Sequence, residues 1–88
     1  MTLDELRVRI SEIDDQILRL AAERLDAARK VGEIKRESRD MTIVKPDVES
    51  KKYMAIKEKA RELGLDPEFA ASLLYVLMAE SVRTQVSN

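Results

Sequence analysis

Residues 3–34 read LDELRVRISEIDDQILRLAAERLDAARKVGEI, and this stretch decides the fold. Leu3, Leu6, Ile10, Ile13, Ile17 and Leu20 recur at alternating intervals of three and four. Arg24 stands where the next apolar residue is due, and Ala27, Val31 and Ile34 resume the series. Side chains three and four apart lie above one another on one helical face, so the series predicts a single uninterrupted amphipathic helix. The cation in its seam needs an anion, either a protein carboxylate or a ligand, because an unpaired charge inside a packed seam costs several kcal/mol.

The helix has a clear start. Thr2 followed by Glu5 is a capping-box pattern, and Asp4 and Glu5 place negative charge at the positive end of the helix dipole. Its expected end is near Ser38. A helix of about 36 residues spans about 54 Å at 1.5 Å per residue, whereas a compact chain of this length has a radius of gyration of about 12 Å. Half of the apolar face would stay in water unless another chain covers it, which predicts an intertwined dimer.

Downstream, a polar break at Arg36–Asp40 leads into the β-branched run Thr42-Ile43-Val44-Lys45. Pro46 is well placed as the first residue of a second helix, with Asp47 and Glu49 in its first turn. Tyr53, Ile56, Ala60 and Leu63 supply its apolar face, and Gly64 reads as the left-handed residue that ends it. Asp66-Pro67-Glu68 caps and opens a third helix, with Phe69, Leu73, Val76, Leu77 and Val82 as the expected buried stripe. The reading is all-α, one long helix and two shorter ones, in a single domain over residues 1–88.

Composition narrows the chemistry. The 88 residues are 44% hydrophobic and 38% charged, enough for one small core. Apart from Met41–Val44, strand-like alternation is absent. With no cysteine and no histidine, disulfides, thiolate metal sites and imidazole proton shuttles are excluded. Sixteen basic against 17 acidic residues give a net charge of −1, which argues against nucleic acid as the main partner. Neither a signal-peptide pattern nor an apolar stretch of about 20 residues is seen, so the expectation is a cytoplasmic protein that does not enter membranes.

The polar residues on or beside the apolar faces are the candidates for function. Arg24 and Lys35 are eleven residues apart, almost three whole turns, so both project from one face about 16 Å apart along the axis. Arg7, seventeen residues before Arg24, is rotated by roughly a quarter turn and would address a partner's ligand in an antiparallel dimer. Ser81 and Gln85, at i and i+4, point the same way from the third helix. Read by themselves, these are ordinary features: an arginine that snorkels out of a seam, surface charges, and a polar C-terminus. Lys51, Lys52, Lys57 and Lys59 read as a solvated face.

Taken together they carry a resemblance. Leu6-Arg7-x-x-Ile10-x-x-Ile13-Asp14-x-x-Ile17-x-x-Leu20, then Ala22-Glu23-Arg24, Val31-Gly32-x-Ile34-Lys35, and the ending Glu80-Ser81-Val82-x-x-Gln85, resemble the all-helical chorismate mutase family over nearly the whole chain. The resemblance implies a helix-swapped homodimer that converts chorismate to prephenate without a cofactor or metal. It also implies two equivalent sites, each completed by an arginine from the other protomer. By the same resemblance, Arg24 grips a substrate carboxylate and Arg7 reaches a carboxylate across the dimer. Lys35 and Gln85 bond the ether oxygen of the breaking bond, Glu49 lies near the ring hydroxyl, and Ser81 makes a polar contact to substrate.

One motif departs from the family. Where Asp-Pro-x-Arg-Glu is usual, this chain reads Lys45-Pro46-Asp47-Val48-Glu49, so an aspartate is replaced by Lys45 and an arginine by Val48. Lys45 can donate to the hydroxyl or attract a carboxylate but cannot accept a hydrogen bond. Weaker activity, a changed substrate, and dependence on an activating partner enzyme all follow from this departure as open consequences. Two alternatives stand beside the mutase: an isochorismate pyruvate-lyase on the same fold, and a non-catalytic helical dimerisation or regulatory module.

Overall fold

The computed structural model describes residues 1–38 and 46–86. They form three helices, α1 (Leu3–Glu37), α2 (Pro46–Leu63) and α3 (Pro67–Val86). No strand occurs among the described residues; Met41–Val44, the run with strand-like alternation, lies outside them.

The punctuation read from sequence sets the helix ends. Thr2 Oγ1 accepts from the Glu5 amide at 3.1 Å, and the Thr2 carbonyl accepts from the Leu6 amide at 3.0 Å. Gly64 sits at φ 72°. There the Leu65 amide donates to the Ala60 carbonyl at 2.8 Å and the Gly64 amide to the Arg61 carbonyl at 3.2 Å, the bond pair of a Schellman motif. Asp66 then caps α3, its Oδ1 accepting from the Glu68 amide at 3.1 Å. The reversal from α2 to α3 therefore takes three residues.

α3 packs on both other helices and is their shared wall. It runs in the same direction as the second half of α1, with Arg24 opposite Leu77 and Ser81 and Gly32 opposite Gln85. The side chains buried at these contacts are small. Ala28 and Gly32 of α1, Ala60 of α2, and Ala70 and Ser81 of α3 are the buried residues.

Two expectations change here. Phe69, Leu73 and Val76 were expected in the buried stripe of α3 but are exposed at 56%, 47% and 62%, while Leu77 and Val82 are half-buried. The helix is apolar around most of its girth, so close approach is decided by its small residues. Lys57 is not simply solvated either: its Nζ lies 3.4 Å from Glu68 and ties α2 to the start of α3.

The molecule is elongated, 55 × 25 × 14 Å, with a radius of gyration of 16.2 Å against the about 12 Å expected for a compact chain. The excess comes from α1. Every residue from Met1 to Leu20 is exposed, including Leu3, Leu6, Ile10, Ile13, Ile17 and Leu20 of the apolar series.

Candidate active site

A cavity of about 390 Å³ opens where the three helices meet, within the size range of small-molecule sites. α1 lends it Arg24 and Lys35 over a floor of Ala27, Ala28 and Val31; α2 lends Val48, Glu49 and Lys52; α3 lends Ser81 and Gln85 with Met78 and Val82. The helical spacings read from sequence thus converge. Lys35 lies eleven residues beyond Arg24 on the same face, and Gln85 lies one turn beyond Ser81, so all four side chains meet in one space.

Arg24 is half-buried, and no described carboxylate pairs with it. Its Nη1 donates to the Leu77 carbonyl at 3.1 Å and also to Ser81 Oγ. Ser81 Oγ donates to the same Leu77 carbonyl at 2.8 Å. Neutral acceptors on α3 therefore hold the guanidinium in place and leave its charge uncompensated, which is the condition an anionic ligand would satisfy. Ser81 is the buried polar residue among the described ones, its Oγ fixed by accepting from Arg24 and donating to the Leu77 carbonyl.

Gln85 is positioned by close packing. A Cβ on Gly32 would lie 3.4 Å from both Gln85 Cα and Cγ, ordinary van der Waals contact, so α1 and α3 lie close together here. Arg36 Nη1 donates to the Gln85 carbonyl at 3.3 Å and pins the same turn from α1. Gln85 Oε1 is buried without a hydrogen-bond partner. An unpartnered buried amide oxygen is costly, and rotation about the last side-chain bond would put the Nε2 donor in its place.

Several charges outside the cavity are spent locally. Arg9 pairs with Glu12, Arg19 with Asp15, and Arg29 and Lys30 both with Asp26. The Lys30 hydrogen bond, then that of Arg29, holds the Asp26 carboxyl below the ordinary carboxylate value. By contrast, the cavity's Arg24, Glu49 and Lys52 form no ion pair with a described residue. Glu49 and Lys52 do not pair with each other, though they are one turn apart.

Of the residues singled out from sequence, Arg24, Lys35, Glu49, Ser81 and Gln85 share this cavity. Arg7 does not; it lines a shallow hollow with Val8, Ser11, Glu12 and Asp15, about 26 Å from Arg24 along the helix axis. Lys45 lies outside the described residues. Lys52, read from sequence as part of a solvated face, is instead a cavity residue, although exposed at the rim. Arg36 was read only as part of a polar break. The i, i+3 spacing of Lys52 from Glu49 was the available signal for the first; nothing in the sequence marks Arg36.

The pattern of chorismate mutase type II proteins matches residues 6–86, which takes in α1 from Leu6 onward, all of α2 and α3, and every described lining residue of the cavity. The chain belongs to the chorismate mutase type II family. The chorismate mutase of Methanocaldococcus jannaschii is 32% identical to it over 83 residues, 94% of this chain and 83% of that protein. No solved structure matches the chain. Among the three readings that the sequence leaves open, family and relative support the mutase, an isomerase, over the lyase and the non-catalytic module.

Proposed function

We propose that this protein converts chorismate to prephenate in aromatic amino-acid biosynthesis, and that residues 1–88 act as one catalytic domain in an intertwined, helix-swapped homodimer. The observation that carries this reading is the convergence of Arg24, Lys35, Glu49, Ser81 and Gln85 in one cavity of a chain of this family. A [3,3] rearrangement is unimolecular and needs neither nucleophile nor metal, so a site of fixed donors is sufficient. Arg24, oriented by Leu77 and Ser81, grips a carboxylate and holds the substrate in its compact reactive conformer, which removes orientational entropy from the barrier. Lys35 and the Nε2 of Gln85 bond the ether oxygen, where negative charge develops as the bond breaks. Glu49 accepts from the ring hydroxyl.

The dimer completes the site. The uncovered apolar face of residues 3–20 supports a second protomer as its cover, and Arg7 on that segment is then carried to the other protomer's cavity, where it meets a substrate carboxylate. By the family resemblance, Lys45 attracts a carboxylate of the substrate or donates to its hydroxyl.

The test is loss of chorismate absorbance with identification of prephenate, for the wild type, Arg24→Ala and Lys35→Ala. Turnover by the wild type, reduced about 10²–10³-fold in both folded variants, is the expected result. A folded wild type that forms no prephenate overturns the reading.

A further inference from the structure

We propose that Lys52 holds a carboxylate of the substrate, supplying from one turn further along α2 the positive charge that the family carries as arginine where this chain has Val48. This inference rests on the chorismate mutase reading above.

Placement supports it first. Val48 and Lys52 stand at i and i+4 on α2 and line the same cavity. Side chains on a helix lean towards its N-terminus, so a long side chain at 52 covers the surface over the turn that bears residue 48. Val48 offers neither charge nor donor there. A lysine also suits this task from the rim, because its flexible four-carbon stem delivers a compact charge across a gap that a shorter side chain would not span.

Availability supports it independently. Of the lysines on α2, Lys57 is drawn to Glu68 and Lys59 to Glu62, each at 3.4 Å. Lys52 pairs with no described residue, though Glu49 is one turn away and also in the cavity. Lys51 is likewise unpaired but does not line the cavity. Charge balance gives the third support. Within one chain the described cavity holds Arg24, Lys35 and Lys52 against Glu49, three cations to one carboxylate, a formal balance of +2. A dicarboxylate is drawn to a lining with such an excess of cations, and Lys52 is part of that excess. A single-point contact to a carboxylate, away from the bond that breaks, acts alike on bound substrate and transition state, so it sets KM more than kcat.

Steady-state kinetics of the full chain decide the matter, with the wild type, Lys52→Met, Lys51→Met and the double variant Lys52→Met/Val48→Arg compared at low and high ionic strength. Circular dichroism verifies that each is folded. Lys52→Met is expected to raise KM for chorismate about tenfold with kcat within about twofold. The gap narrows at about 1 M salt, where the screening length falls to about 3 Å. Lys51→Met keeps the wild-type KM, and Val48→Arg in the Lys52→Met background restores most of the affinity. The proposal is overturned by an unchanged KM in Lys52→Met, by an equal rise in Lys51→Met, or by a rise that Val48→Arg does not reverse. Absence of prephenate formation by the wild type would instead remove the mutase reading on which it rests.

Discussion

The two halves of α1 share one apolar period and meet opposite fates. In residues 21–37, Ala28 and Gly32 are buried against α3, and the seam arginine is held by two acceptors. In residues 3–20 nothing is covered: Leu3 is 62% exposed, Ile10 57% and Ile17 54%. A period of 3.6 specifies which side of a helix wants cover but says nothing about what supplies it. The half with an intramolecular neighbour uses small residues, so that backbones approach. The bare half uses isoleucine and leucine, residues suited to filling space against the second protomer proposed above.

Breaking the bare half should have the largest consequence. Ile10→Glu with Ile17→Glu places two carboxylates in the face proposed to mate with a second protomer. Sedimentation should report monomers, and activity should fall by about 10² or more as Arg7 leaves the neighbouring site. Helicity should fall too, because a segment of this length is marginal as an isolated helix in water. A variant that stays dimeric and active would place the cover elsewhere. Mixing sharpens the same comparison. Arg7→Ala and Arg24→Ala, each nearly inactive, should recover about a quarter of wild-type activity when subunits exchange, since half the dimers then carry one intact site. No recovery would mean that the two arginines serve the same cavity from one chain.

Next come single truncations. Ile17 and Leu18 are both exposed in one chain, at 54% and 70%, yet only Ile17 belongs to the series. Ile17→Ala should cost about 2–4 kcal/mol, read as a melting temperature lower by about 10 °C or more, and Leu18→Ala under about 0.5 kcal/mol. Equal effects would deny the stripe its special role. On the covered half, Arg36→Ala removes the 3.3 Å bond to the Gln85 carbonyl and should lower kcat a few-fold with little change in melting temperature. The smallest effect belongs to Gly32→Ala. Its Cβ would meet Gln85 and Arg36 at 3.4 Å, an ordinary contact, so the loss of unfolded-state freedom should raise stability by up to about 1 kcal/mol.

What was legible in the sequence follows the same division. Caps were legible because they are local: Thr2, Gly64 and Asp66 need only residues within four positions to do their work. Arg24, Lys35, Ser81 and Gln85 were legible as two pairs because helical spacing fixes direction within one element. The packing side of α3 was not, because apolar residues at nearly every position from Phe69 to Met78 leave no contrast for a period to show. Lys52 and Arg36 were missed for a related reason. Their places come from what faces them across the cavity or on another helix, and a lysine or arginine on a charged surface looks the same until that neighbour is known.

The unbroken run of α1 from Leu3 to Glu37 makes it a ruler. Arg7 and Arg24 ride on one rod, so in a dimer the spacing and relative rotation of the two sites are written as a residue count. A one-residue insertion between Ile13 and Ile17 would advance Arg7 by only about 1.5 Å but swing it through about 100°, away from any substrate it serves. Point changes along the outer face of this segment leave that reading intact. Changes of length do not, so in this part of the chain insertions and deletions, far more than substitutions, are the changes that would silence both sites of the proposed dimer at once.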